Sequence, residues 1–186
     1  MNQLTKIKFN TPFQLEMGST LPFVEIAYHT YGTLTNSSKV IWVCHALTAN
    51  SDVADWWNGL FGQGDLFDHE DYFIVCANVL GSCYGTTGPL SEDLDESLRY
   101  LNFPLVTTRD MANAHELLKK ELGIEKIHLL IGSSLGGQQA QEFAYLLNDH
   151  LEKLVLIATN AQVFGQEFSP QALCTFLTNG IGISFL

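Results

Sequence analysis

The stretch Ile127-His128-Leu129-Leu130-Ile131-Gly132-Ser133-Ser134-Leu135-Gly136-Gly137-Gln138-Gln139-Ala140, continued to Asn148, decides the architecture of this chain. Its first five residues are a short, nearly unbroken apolar run, which suits a strand covered on both faces. Ala140, Phe143, Ala144 and Leu147 then recur at helical spacing. Between strand and helix lies Gly-x-Ser-x-Gly, from Gly132 to Gly136. In that setting the turn is so tight that only small residues fit two positions before and after the serine. Ser134 is then held above the sheet end as a candidate nucleophile. The Leu135 N–H opens the helix and has no partner within it, so it can face a developing oxyanion. A nucleotide-binding turn would instead need Gly-x-Gly-x-x-Gly or Gly-Lys-Ser/Thr, and the sequence supplies neither.

Outward from this turn, Val24 to Tyr31, Val40 to Cys44, Tyr72 to Ala77 and Leu154 to Ala158 are further short runs of β-branched and aromatic residues. Met111, Ala114, Leu117, Leu118 and Leu122 set a second helical period. Strands alternating with helices predict right-handed crossovers, hence an α/β fold with a mostly parallel sheet and flanking helices. Thr107 with Asp110 three residues later predicts a helix start, and Gly123 after Lys119 and Lys120 predicts its end. The loops Leu47 to Gly64 and Leu80 to Phe103 are long for such a fold, and long ordered loops commonly build sites. The run Val40 to Cys44 leads into His45-Ala46-Leu47, which makes the Leu47 N–H the candidate second oxyanion donor. His45 suits a hydrogen-bonding, loop-shaping role there better than that of a base.

Composition narrows the partners. Nine Lys+Arg against 20 Asp+Glu give a net charge of −11, which leaves no basic field for nucleic acid or an anionic membrane surface. With 46% hydrophobic and 16% charged residues in 186, one globular domain is expected. Cys44, Cys76, Cys83 and Cys174 lack C-x-x-C spacing, so neither a metal site nor a disulfide framework is expected. The first residues carry no apolar signal region, which predicts a cytoplasmic setting.

Further segments are Cys44-His45-Ala46-Leu47-Thr48, Trp56-Trp57, Asn78-Val79-Leu80-Gly81-Ser82-Cys83-Tyr84-Gly85, Thr87-Gly88-Pro89, Phe103-Pro104, Val106-Thr107 and Arg109-Asp110-Met111. Together with the turn at Ser134, they resemble the homoserine O-acetyltransferases of the α/β-hydrolase superfamily. The resemblance covers about Phe13 to Gln162 and implies an α/β-hydrolase fold. It also implies a ping-pong transfer in which Ser134 takes acetyl from acetyl-CoA and passes it to L-homoserine, serving methionine synthesis. No bound cofactor is implied, since acetyl-CoA enters as substrate, and the family implies a homodimer. After the turn the family usually reads Met-Gln-Ala-Leu-Glu-Trp, whereas Gln138-Gln139-Ala140-Gln141-Glu142-Phe143 stands here. Alternatives are a succinyl donor, serine as acceptor, a general serine esterase, or a non-catalytic binding module.

Such a serine needs a base and an acid to orient it, and in this superfamily both follow the nucleophile. His150, the one histidine after Ser134, lies beyond the helix, on the order of 20 Å away. The expectation is therefore that no triad Asp or His belongs to this chain, and that triad, lid and acceptor-binding residues lie downstream in the family. Residues 1–162 then form the N-terminal part of one domain. Val163 to Leu186 reads as a divergent, non-native tail on a truncated, inactive product, whose uncovered sheet edge predicts aggregation.

Overall fold

The computed structural model describes residues 3–160; the divergent tail lies outside them. Lys6 and Lys8 alternate with Ile7 and Phe9, so β1 (Thr5–Phe9) has one wet face and one that packs on the core. A small hairpin, β2 (Phe13–Gln14) with β3 (Thr20–Leu21), follows. Next come β4 (Val24–Tyr31), β5 (Lys39–Cys44), the short helix α1 (Val53–Trp56) and β6 (Tyr72–Ala77). Then follow α2 (Thr108–Glu121), β7 (Leu129–Ser133), α3 (Leu135–Leu147) and β8 (Leu154–Ile157).

Six strands form one sheet in the order β1-β4-β6-β5-β7-β8. β6, β5, β7 and β8 are parallel to one another, while β4 pairs antiparallel with β6 and β1 antiparallel with β4. The expected mostly parallel sheet is therefore present, with an antiparallel flank that the apolar runs did not announce. The central strand β5 is covered from Val40 onward: Ile41, Trp42, Val43 and Cys44 are all at 0% exposure. One face carries Trp42, Leu118, Leu130 and Phe143 under α2 and α3. The other carries Ile41, Val43, Ile74 and Ile131 under the loop holding Trp56 and Trp57.

β7 begins two residues later than the apolar run predicts. Ile127 makes an isolated bridge to Leu151, and His128 turns aside to Glu152 at 2.7 Å. The His128 N–H still bonds the Val40 carbonyl of β5 at 2.9 Å, so the two residues anchor the strand's entrance.

The helix start at Thr107 forms a full capping box. Asp110, at 0% exposure, accepts from the Thr107 N–H at 2.9 Å and, with its other oxygen, from the Glu16 N–H at 2.8 Å. One carboxylate therefore ties the hairpin segment to α2. Asp110→Ala would strand both donors, and we expect it to cost about 3 kcal/mol, read as a lower urea midpoint.

Among the described residues no helix is long and apolar enough to cross a membrane, and no cluster of three or more His, Cys, Asp or Glu could hold a metal ion.

Candidate active site

β7 delivers the chain into the turn and α3 takes it away, with Ser134 between them. Ser134 adopts φ 54°, ψ −122°, a conformation costly for any residue with a Cβ. Neighbouring groups hold it there. Its N–H donates to the Ile157 carbonyl of β8 at 3.0 Å, and its carbonyl accepts from the Gly137 N–H and the Thr159 hydroxyl, each at 2.9 Å. Strain at this one residue is therefore fixed by the next strand, and the side chain is left exposed.

The two flanking glycines meet across the turn. A Cβ on Gly132 would fall on the Gly136 carbonyl, and one on Gly136 would fall on the carbonyls of Cys44 and His45. The second contact seats the first turn of α3 directly on the loop that follows β5. Neither the Leu135 N–H nor the Leu47 N–H has a hydrogen-bond partner among the described residues. The Leu47 side chain points outward, 72% exposed.

His45 is buried and fully occupied. The Val79 N–H donates to its Nε2 at 3.2 Å, so Nδ1 carries the proton and donates to the Ala46 carbonyl at 2.8 Å. Burial lowers its pKa, and the ring is a bracket for the loop. Asn78 braces the same region from the other side. Its side chain accepts from the Ser51 N–H at 2.8 Å and donates to the Ser51 hydroxyl at 2.8 Å and the Tyr84 carbonyl at 2.9 Å. Trp56 donates to the Asn50 carbonyl at 2.8 Å and stacks on Trp57. The segments around His45, Trp56 and Asn78 are thus tied to one another by hydrogen bonds.

The remaining histidines are engaged elsewhere. His29 meets Ser51 at 2.9 Å, His128 meets Glu152 at 2.7 Å, and His69 lies 3.5 Å from Asp68. His150 closes a 3-10 turn at the far end of α3. No hydrogen bond joins the Ser134 hydroxyl to any side chain among the described residues, and no triad is assembled from them. Nor does Ser134 line the cavity of about 440 Å³ beside Lys6, Glu25 and Thr86, or that of about 300 Å³ beside Tyr31, Phe61 and Ile74.

Two residues that the sequence reading did not single out sit in the turn's support. One is Thr159, noted above. The other is Gln139, at 0% exposure, which bonds His115 as well as the backbone near both candidate donors. His115, wedged between Trp42 and Phe143, has its pKa pushed by burial down to about 4 from 6.5. The folded chain therefore keeps it neutral where the unfolded chain binds a proton. Its contribution is complete above pH 6.5 and falls as pH drops toward 4, by up to about 3 kcal/mol. Urea unfolding at pH 7 and 4.5 should show a smaller acid loss for His115→Phe than for the parent chain.

Three comparisons bear on this geometry. A homoserine O-acetyltransferase of Chlorobaculum tepidum is 54% identical over 136 residues, 72% of this chain and 38% of that protein. The solved homoserine O-acetyltransferase of Bacillus anthracis superposes with TM-score 0.76 at 33% identity, covering 87% of this chain and 48% of that one. An acetylester hydrolase from Corynebacterium glutamicum gives TM-score 0.77 at 26% identity, covering 87% and 46%. The chain thus spans less than half the length of these relatives. Residues 39–173 match the alpha/beta hydrolase fold family. The chain belongs to that family, and its curated sequence relatives at 40–54% identity are homoserine O-acetyltransferases.

Proposed function

We propose that this chain carries the nucleophile half of an acetyl-CoA:L-homoserine O-acetyltransferase, with Ser134 as the acyl-accepting residue and the Leu47 and Leu135 N–H groups as the oxyanion hole. The observation that carries the reading is the exposed, strained Ser134 followed by the unpartnered Leu135 N–H, on a helix turn seated against the segment that carries the unpartnered Leu47 N–H, in a chain with homoserine O-acetyltransferases among its curated relatives. Ser134 Oγ attacks the thioester carbonyl, the carbon–sulfur bond breaks, and coenzyme A leaves as the thiol. The homoserine hydroxyl then attacks the serine ester and Ser134 recovers its proton, so acetyl moves from sulfur to oxygen with no redox change. The product would be O-acetylhomoserine, an intermediate suited to methionine synthesis in the cytoplasm.

The proton of Ser134 needs an acceptor, and residues 3–160 place no histidine on it. The resemblance puts the triad Asp and His, and the contacts of a homodimer, in the length of the relatives that this chain does not match. The chain alone should therefore acylate slowly and turn over poorly, because a disrupted triad leaves only oxyanion-hole and binding effects. Intact-mass spectrometry after incubation with acetyl-CoA tests this. One added acetyl group, absent in Ser134→Ala, supports the reading, and no adduct on folded protein overturns it.

A second reading has its own support in the acetylester hydrolase fold match: water in place of homoserine as acceptor. Adding homoserine to preformed acyl-enzyme separates the two. Faster loss of the adduct with homoserine favours the transferase.

A further inference from the structure

The two candidate oxyanion donors belong to segments far apart in sequence, and their spacing has to be set by something that touches both. Gln139 does. Its side-chain Nε2 donates to the His45 carbonyl and to the Leu135 carbonyl, each at 3.4 Å. His45 stands two residues before Leu47, and Leu135 carries the other donor itself. The opposite end of the amide is held as well: Gln139 Oε1 lies 3.1 Å from His115 Nε2. Since Oε1 can only accept, His115 carries its proton on Nε2, and the amide is oriented with its N–H groups toward the two loops. Gln139 is at 0% exposure and His115 at 3%, so water does not compete for these bonds. A polar amide at this depth costs stability unless its bonds are made. Here they are spent on the two backbone carbonyls beside the proposed hole.

We infer that Gln139, oriented by His115, is a positioning residue that sets the separation of the Leu47 and Leu135 N–H groups. The inference rests on the acyl-enzyme reading above for its consequence in rate, but its geometric content stands apart from it. An oxyanion hole acts through donors fixed before the reaction, and a displacement of about 1 Å can cost about a hundredfold. Gly136 keeps α3 seated on the Cys44 and His45 carbonyls, which fixes how close the segments come. Gln139 fixes how the His45 peptide is turned.

Two variants of the whole chain separate this role from simple core filling. Gln139→Leu keeps volume and removes both functions of the amide. Gln139→Glu keeps an acceptor for His115 and removes the donor. Nitrogen-15 NMR reads the Leu47 and Leu135 amides, and intact-mass kinetics with acetyl-CoA reads acylation. In both variants we expect shifted Leu47 and Leu135 amide resonances. The acylation rate at saturating acetyl-CoA should fall about tenfold or more, with the half-saturating concentration and the final extent of labelling unchanged. Unshifted Leu47 and Leu135 amides in Gln139→Glu overturn the inference, as does a parental acylation rate in that variant. Loss of fold in both variants also overturns it, since that is the mark of a purely structural residue. If the parent chain forms no adduct, the acyl-enzyme reading fails, and the amide resonances alone decide the role of Gln139.

Discussion

Gly136→Ala should be among the most damaging single methyl additions to this chain. In an ordinary helix that exchange stabilises by about 1 kcal/mol. Here the new Cβ would collide with the carbonyl oxygen of Cys44 and lie 2.8 Å from that of His45. Both are backbone atoms at or just past the buried end of β5, so neither can rotate away, and α3 would have to lift from β5. We expect a loss of at least about 3 kcal/mol, seen as a large drop in urea midpoint or as insoluble expression. Gly137→Ala is the internal comparison. Its Cβ meets the Thr159 side chain, which can yield in part, so the loss should be smaller, about 1–2 kcal/mol. Equal losses would mean that the close approach of α3 to the Cys44 and His45 carbonyls is not what the first glycine protects.

Ser134→Gly should separate stability from chemistry. At φ 54°, ψ −122° the serine carries backbone strain of about 1–3 kcal/mol, which glycine does not feel. Against this stands the larger entropy of glycine in the unfolded chain, somewhat under about 1 kcal/mol. The net expectation is a gain of about 1 kcal/mol in stability together with complete loss of any acyl adduct. Ser134→Ala should lose the adduct while leaving stability nearly unchanged, because alanine keeps the Cβ and hence the strain. A destabilised glycine variant would show that the Ser134 side chain, not its backbone, holds the turn.

These contrasts show which features could be read from local sequence. The Ser134 turn is legible because its sequence signature lies within five consecutive residues, although Ile157, Thr159 and the Cys44 and His45 carbonyls complete its constraints, and the apolar runs of β4, β5 and β6 are legible because both faces are covered. β1 is not legible because Lys6 and Lys8 break its apolar content, and the antiparallel pairing at that edge is hidden with it. The start of β7 is displaced from the apolar run because Ile127 serves a bridge to Leu151 and His128 a hydrogen bond to Glu152. Within the site, the bond from Gln139 to His45 spans 94 residues, and no local period announces such a partner. Its one sequence signal is a polar residue placed on the face of α3 that also holds Ala140 and Phe143. His115 gives the matching signal on α2.

The strand order also governs how fast this sheet can assemble. β5 is bonded on both sides, to β6 and to β7, and Ile41 pairs with Ile74 on one side and with Leu129 on the other. Both pairings close long loops before any reward is returned, whereas β1 meets β4 across a short span. Refolding should therefore be slow, in the range of milliseconds to seconds, with the β1–β4 pair protected early and the β5–β7 amides late. Once formed, those same amides should be the slowest to exchange with solvent, because opening them requires undoing the sheet from its middle.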